Sequence, residues 1–205
     1  MNIIERVKNI IITPKTEWEK IAATEQSLSA VNMSYVIPLA LIGAVAAFIG
    51  FGFIGVNTGL LGIRIKGIDW GLYTGIKLFA SSVLSVLTAA YVVDMLAPSF
   101  GSEKNLNKSA QLVAYAYTPG LIGAFLNILP MLAISGGLFG LYGIYLWYLG
   151  LGPMKKTPED KKVIYLVISI VVLIVVFIVV GLVMAKILGS IFGFGALGEY
   201  GRFGL

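Results

Sequence analysis

The side chains that could do chemistry in this sequence are the few charged and polar groups inside long apolar segments. The second predicted membrane span carries the clearly intramembrane charges, Lys77 and Asp94. About 25 Å would separate them at ~1.5 Å per helical residue, so they cannot pair along one straight helix. Lys77 is expected to extend to the outer interface. The shorter side chain of Asp94 either reaches the inner interface or marks a functional position inside the membrane.

A second polar group lies where a proline interrupts an apolar run. Pro119 has no N–H for the carbonyl of Tyr115, so a helix must bend here, and the freed carbonyl needs a protein or water partner. Tyr115 and Thr118, three residues apart, share a face with the bend. Together with Asp94 and Asn127, these residues form the candidate polar site within the membrane.

Most catalytic and cofactor chemistry finds no support in the sequence. The absence of Cys and His excludes thiol nucleophiles, disulfides, Cys/His zinc sites and His-ligated haem. Hydrolysis by paired carboxylates needs two converging acids, and no glycine-rich nucleotide motif is present. Lys77 with Ser81 or Ser82 could form a Ser/Lys catalytic dyad. The favoured interpretation is that these serines donate hydrogen bonds to their own helix backbone, as serines in membrane helices normally do. We therefore expect no enzyme activity, cofactor or metal.

Composition indicates that lipid is the solvent for most of the chain. Of 205 residues, 58% are hydrophobic and 12% charged, and the mean hydropathy is +0.93. Soluble domains carry about 25% charged residues. The net charge of +5 is attributed to Lys and Arg that hold loops in the cytoplasm, and not to nucleic-acid binding. The first long apolar run begins near Ser34, so a cleavable signal peptide is not expected.

Apolar runs of the length that a bilayer requires predict an all-α, polytopic membrane helix bundle of five transmembrane helices. The predicted spans are 34–56, 72–97, 109–127, 130–151 and 163–188. They form one domain at 34–188, between a cytoplasmic amphipathic N-terminal region at 1–33 and a flexible tail at 189–205. The distribution of basic residues predicts a multi-pass protein of the cell membrane, the bacterial inner membrane, with its N-terminus in the cytoplasm and C-terminus outside.

The N-terminal region begins with a short amphipathic helix, since Ile3, Ile4, Val7, Ile10 and Ile11 share one face. This face either lies along the membrane surface or packs on the bundle. A second short helix follows, with proline at its first position. Side chains suited to the membrane interface, and small residues that allow close helix packing, are spread along the rest of the sequence. The predicted interface anchors are Trp18, Trp70, Lys77 and Trp147, and the predicted packing residues are Gly43, Ala47, Gly50, Gly136 and Gly140.

Two short motifs resemble those of bacterial proteins of the Yip family (Ypt/Rab-interacting proteins). Pro14, Trp18 and Ile21 form a P-x-x-x-W-x-x-I pattern, and Tyr115 with Pro119 forms the Y-x-x-x-P pattern of the third span. The resemblance covers about residues 1–190. It implies five spans after a cytoplasmic N-terminus and, for eukaryotic members, binding of small GTPases in Golgi and endoplasmic reticulum traffic.

This chain departs from the eukaryotic pattern. It has a short N-terminal region, and the segment nearest to the Asp-Leu-Tyr-Gly-Pro motif, at 140–144, lacks the acid and the proline. GTPase binding is therefore doubtful, and the chain is similar to bacterial-type members.

Two functions remain open at this point. The first is a non-enzymatic protein that organises or remodels the membrane or scaffolds a partner, in contact with the lipid bilayer and with a homo-oligomer or membrane-protein partner. The second is a small-solute or ion transporter or channel, with a polar pathway along Asp94, Tyr115, Thr118 and Asn127.

Overall fold

The computed structural model describes residues 2–57 and 64–192, which are almost entirely helical. A small antiparallel pair of strands, β1 (Val56–Asn57) and β2 (Arg64–Ile65), lies between the fourth and fifth helices. The helices are α1 (Ile3–Ile12), α2 (Pro14–Ala22), α3 (Leu28–Val31), α4 (Ile37–Ile49), α5 (Ile68–Leu96), α6 (Leu106–Ala116), α7 (Thr118–Gly123), α8 (Ala133–Lys155) and α9 (Lys162–Phe192).

Three helical segments of the described chain are long and apolar enough to cross a membrane: Leu28–Ile54, Ile68–Phe100 and Glu159–Phe192. The first combines α3 and α4 through a π-helical turn. The all-α, membrane-protein prediction is confirmed, whereas the predicted number of five spans is not. The other two predicted spans correspond to α6–α7, which is interrupted, and to α8, which has 23 residues rich in glycine and aromatic side chains.

The predicted bend at Pro119 appears as a break between two helices. α6 ends at Ala116 and α7 begins at Thr118, because Pro119 cannot donate to the carbonyl of Tyr115. The chain then turns through two short 3₁₀ segments, Ala124–Ile128 and Pro130–Leu132, before entering α8. The turn therefore falls where the sequence predicted it.

Helix ends meet at two opposite faces of the bundle. At the face that we call the basic face, α5 and α8 end while α6 and α9 begin, and the hydroxyl of Tyr165 donates to the carbonyl of Val93. At the opposite face, α4 ends and α5 begins. There a Cβ on Gly50 would lie 1.9 Å from the carbonyl oxygen of Asn127, at the end of the third predicted span.

Helix α6 forms the centre of the bundle at the basic face, where all residues from 109 to 116 are buried. The N-terminal helices α1 and α2 form a hairpin that packs against α7 and α8. From this hairpin, Trp18 is fully buried, and it lies so close to Gly150 and Leu112 that a Cβ on Gly150 would be 2.9 Å from its ring. The N-terminal hairpin is thus part of the fold.

Two of the predicted packing residues, on α4 and its continuation, are in close contact with the 3₁₀ segment Ala124–Ile128. A Cβ on Gly43 would lie 2.7 Å from the Cβ of Ala124, and Gly50 faces the still closer carbonyl of Asn127. Ala47 is 2% exposed and also belongs to the core. Close approach of the 3₁₀ segment Ala124–Ile128 to α4 therefore depends on the absence of larger side chains at Gly43 and Gly50.

The predicted Gly136-x-x-x-Gly140 pair divides into two different environments. A Cβ on Gly136 would lie 2.9 Å from the carbonyl oxygen of Gly123, so this glycine is a close helix contact. Gly140 has nothing within 4 Å of such a Cβ, and the prediction that it packs against a neighbouring helix is wrong. It instead borders an open space that is described below.

The last helix overlaps the first residues of the predicted tail. Helix α9 extends to Phe192, beyond the predicted boundary at residue 188, because the apolar segment continues in helical conformation. The remaining predicted tail, 193–205, lies outside the described residues.

Candidate functional site

A buried ion pair joins three helices at the basic face. The ammonium of Lys155, at the end of α8, donates to the carboxylate of Asp94 (3.1 Å), the hydroxyl of Ser109 (2.6 Å) and the carbonyl of Asn105 (3.2 Å). The hydroxyl of Ser109 lies 3.1 Å from the same carboxylate oxygen of Asp94. The side chain of Lys155 is fully buried and that of Asp94 is 11% exposed. We call Asp94, Ser109 and Lys155 the latch cluster.

The turn after α8 holds Lys155 in position. Lys156 adopts a left-handed conformation with φ of 50°, and the N–H of Glu103 donates to the carbonyl of Lys155 (2.8 Å). The hydroxyl of Ser102 donates to that of Thr157 (2.9 Å), which fastens the same turn to the loop before α6. The side chain of Lys156 donates a hydrogen bond to the exposed carboxylate of Glu103. This bond and the positive charge of Lys156 lower the pKa of the Glu103 carboxyl below its usual range.

The latch cluster brings a serine hydroxyl within hydrogen-bond distance of a lysine, which is also the arrangement of Ser/Lys nucleophilic pairs. However, Ser109 and Lys155 are both 0% exposed, and Lys155 is bound by the carboxylate of Asp94. Such a group has no approach for a substrate. Its contacts connect the ends of α5, α6 and α8.

Sequence reasoning found Asp94 and missed Lys155, which it placed in a cytoplasmic loop. The sequence did indicate that Asp94 needs a basic partner, because an acid in an apolar segment requires a partner of opposite charge near the same end of the bundle. Several lysines satisfied that condition, and only the packing of α6 against both α5 and α8 selects one.

The helix break forms a second polar cluster. The hydroxyls of Tyr35 and Thr118 lie 2.7 Å apart, and the hydroxyl of Tyr115 donates to the side chain of Gln26 (2.7 Å). The rings of Tyr35 and Tyr115 meet edge to face at 4.8 Å. Tyr35, which the sequence did not single out, therefore connects the two polar residues on either side of the break.

Two charged residues of the N-terminal hairpin complete this cluster. The guanidinium of Arg6 lies 5.4 Å from the centre of the Tyr115 ring and donates to the carboxylate of Glu17. Glu17 is 0% exposed. The ammonium of Lys20 lies 3.8 Å from the same carboxylate group. The pairing of Arg6 with Glu17 joins α1 to α2, and the contact of Arg6 with the Tyr115 ring joins α1 to α6.

The residues of the candidate polar site do not meet in one place. Tyr115 and Thr118 share the cluster at the break, whereas Asp94 binds Ser109 and Lys155 at the basic face. The side chain of Asn127 donates to the carbonyl of Ala124 in the opposite turn. Pro119 is buried and acts through the break that it causes.

The predicted interface anchors also separate into two groups. Trp18 and Trp147 are 0% and 3% exposed, so their interface role is corrected to burial in the bundle. At the opposite face, the Trp70 ring stacks on that of Tyr73 with 5.3 Å between centres, and the ammonium of Lys77 lies 5.6 Å above the Tyr73 ring. The interface role of Trp70 and Lys77 at the start of α5 stays a prediction.

A cavity of about 410 Å³ lies between α5, α7, α8 and α9, beside the break. Its lining is predominantly apolar and includes Tyr117 and Gly120 on one side and Gly140 and Trp147 on another. Asp94 and Thr118 do not line it. The cavity is therefore separate from both polar clusters.

Comparison with known proteins identifies the family of this bundle. A family model described as the Yip1 domain matches residues 8–181, from the N-terminal hairpin into α9. The chain belongs to the Yip1 domain family. No curated protein and no solved structure matches it. In the described residues of this Yip1 domain, no group of three or more acidic side chains is placed to hold a metal ion.

Proposed function

We propose that this Yip1-domain protein is a non-enzymatic membrane protein that organises or remodels the membrane, or scaffolds a partner. The observation that carries the proposal is the two-sided N-terminal hairpin. One side is fixed in the bundle by Arg6 and Trp18. On the other, Ile4, Lys8 and Ile12 follow one another at four-residue spacing and are exposed, and such an apolar and basic stripe suits the headgroup region of a membrane.

We further propose five membrane crossings, formed by α3–α4, α5, α6–α7, α8 and α9. The alternation of helix ends between the two faces supports this number. Residues 106–128 run from one face to the other, and about 34 Å of helix is enough for a bilayer core. The third and fourth crossings are then the broken and the glycine-rich helices.

The proposed orientation places the basic face in the cytoplasm, with the C-terminus outside. Ten basic residues of the hairpin and of the predicted loops belong to this side, and a bacterial inner membrane fits the bacterial-type resemblance. Basic residues assigned to this side are Arg6, Lys8, Lys15, Lys20, Lys104, Lys108, Lys155, Lys156, Lys161 and Lys162.

The partners proposed are the lipid bilayer and either a second copy of the chain or another membrane protein. Exposed aliphatic side chains along α9, among them Val171, Val175 and Val179, provide an apolar surface for lipid or for a helix. Binding of GTPases is not proposed. We rank the transport alternative second because the polar groups predicted to form its pathway bind other partners in separate places.

Reconstitution into vesicles that contain anionic lipid tests the proposal. We expect the wild type to change vesicle shape in electron micrographs and the double variant Ile4→Ser/Ile12→Ser to lose this effect. Ile68→Ser is the matched control, since Ile68 is 60% exposed at the opposite face. Unchanged vesicles, combined with an ion or proton flux that Asp94→Asn abolishes, would refute the proposal in favour of transport.

A further inference from the structure

The cavity beside the helix break has the size and position of a ligand site. Its volume of about 410 Å³ is within the range of small-molecule sites, roughly 300–1,000 Å³. It lies within the apolar part of α5, α8 and α9, far along these helices from the latch cluster. About 22 Å of helix separates Gly140, at the cavity, from Lys155 at the end of α8.

Two glycines leave this space open. A Cβ built on Gly120 or on Gly140 would have nothing within 4 Å, although both residues line the cavity. Gly143, one turn further along α8, behaves differently, since its Cβ would lie 2.8 Å from the carbonyl oxygen of Ala116. α8 is thus in close contact with the chain at Ala116, where Gly143 meets it, and again at Gly123, where Gly136 meets it, and the open space lies between these two contacts.

The lining selects a hydrocarbon ligand. Aliphatic and aromatic side chains dominate it, including Leu78, Leu173 and Phe177, and no charged side chain takes part. Ser81 and Ser85 contribute hydroxyls from α5. An anionic or cationic ligand would lose its hydration here without gaining a partner of opposite charge. An aliphatic chain would lose only its contacts with the acyl chains of the bilayer.

The cavity opens toward the outer surface of α8 and α9. At its rim, Ile144 is 38% exposed and Ile174 is 53% exposed. The neighbouring exposed residues on α9 are Val171, Val175 and Ile178, so the surrounding surface is apolar as well. In a bundle that spans a membrane, the medium at this opening is the acyl-chain region of the bilayer.

We infer that the cavity holds an acyl chain of a bilayer phospholipid, inserted between α8 and α9 beside Gly120 and Gly140. The inference requires that the bundle lies in a membrane and is independent of whether the protein remodels that membrane or scaffolds a partner. Trp147 supplies a reporter, because it lines the cavity and is only 3% exposed.

The test uses vesicles whose phospholipids carry bromine on their acyl chains, because bromine quenches tryptophan emission on contact. Trp147→Phe is measured in parallel, because its emission comes from Trp18 and Trp70. Subtracting that emission from the total gives the contribution of Trp147. Gly140→Leu and Gly120→Leu fill the cavity from different helices. Gly181→Leu is the matched control, since a Cβ on Gly181 also has open space but the residue does not line the cavity.

We expect the emission of Trp147 to be quenched in the wild type and in Gly181→Leu, and retained in both cavity-filling variants. Native mass spectrometry should likewise show a phospholipid on the first two proteins and not on the others. Equal quenching in every variant, or none in the wild type, would overturn the inference. So would retention of an isoprenoid, or of a second copy of the chain, in place of the phospholipid. Vesicle shape is scored separately and tests the proposed function alone.

Discussion

Replacing Lys155 by methionine should destabilise the bundle strongly. The substitution removes the ammonium that binds Asp94 (3.1 Å) and leaves its carboxylate, which is 11% exposed, with the hydroxyl of Ser109. Breaking a buried pair from one side costs about 3–5 kcal/mol. At about 1.4 kcal/mol for each factor of ten, the unfolding equilibrium should shift more than ~100-fold.

The neighbouring lysine provides a matched control. Lys156 is 79% exposed and pairs with the exposed Glu103, so Lys156→Met removes the same charge from an adjacent position at little cost in stability. Unfolding by denaturant of the protein in detergent micelles, followed by circular dichroism, measures both variants. Equal denaturant midpoints for Lys155→Met and Lys156→Met would refute the conclusion that the latch cluster stabilises the bundle.

A double variant separates the loss of the pair from the burial of an unpaired charge. Asp94→Leu combined with Lys155→Met removes both charges, and Ser109 can still donate to the carbonyl of Asn105 (3.0 Å). Replacing a buried ion pair by apolar residues is often neutral or stabilising. We therefore expect the double variant to be more stable than either single variant, with a coupling energy obtained from the mutant cycle. Additive losses would contradict this reasoning.

Two further predictions concern the helix contacts. Gly50→Ala should lower the free energy of unfolding by about 1–3 kcal/mol or more, because the added Cβ would overlap the carbonyl of Asn127. Gly181→Ala is the control, since its Cβ would enter open space and should not lower stability. Thermal unfolding of the two variants tests this difference. Tyr35→Phe should lower stability by about 1 kcal/mol in the same assay, because the hydroxyl of Thr118, which is 0% exposed, loses the hydroxyl of Tyr35 as its partner. A stability equal to that of the wild type would contradict the role of this hydrogen bond at the helix break.

The sequence predicted features that depend on local covalent and steric rules. The break at Pro119 follows from a missing N–H, and the contacts of Gly43 and Gly50 follow from the need for small side chains where helices cross closely. The overall helical class follows from composition and from the length of the apolar runs. None of these inferences requires knowledge of which helices are neighbours.

The sequence did not predict features that depend on the arrangement of helices. Trp18 follows a polar segment near a predicted interface, and the same residue type suits either a headgroup region or a packed core. Its burial is decided by the docking of α2 against α8. Gly140 shows the same limit, because its spacing from Gly136 matches a packing motif although a Cβ on Gly140 would have no neighbour within 4 Å.

Charge at the basic face is divided between residues that the bundle buries and residues that it leaves exposed. Arg6 and Lys155 are neutralised within the protein by Glu17 and Asp94. Lys8, in contrast, remains exposed between two exposed isoleucines. A count of basic residues treats these groups alike, since the sequence gives their number and not their burial. The Arg6–Glu17 pair fixes the N-terminal hairpin, and the Lys155–Asp94 pair joins the ends of three other helices. The exposed charges remain available to anionic headgroups, as the proposed role at the membrane surface requires.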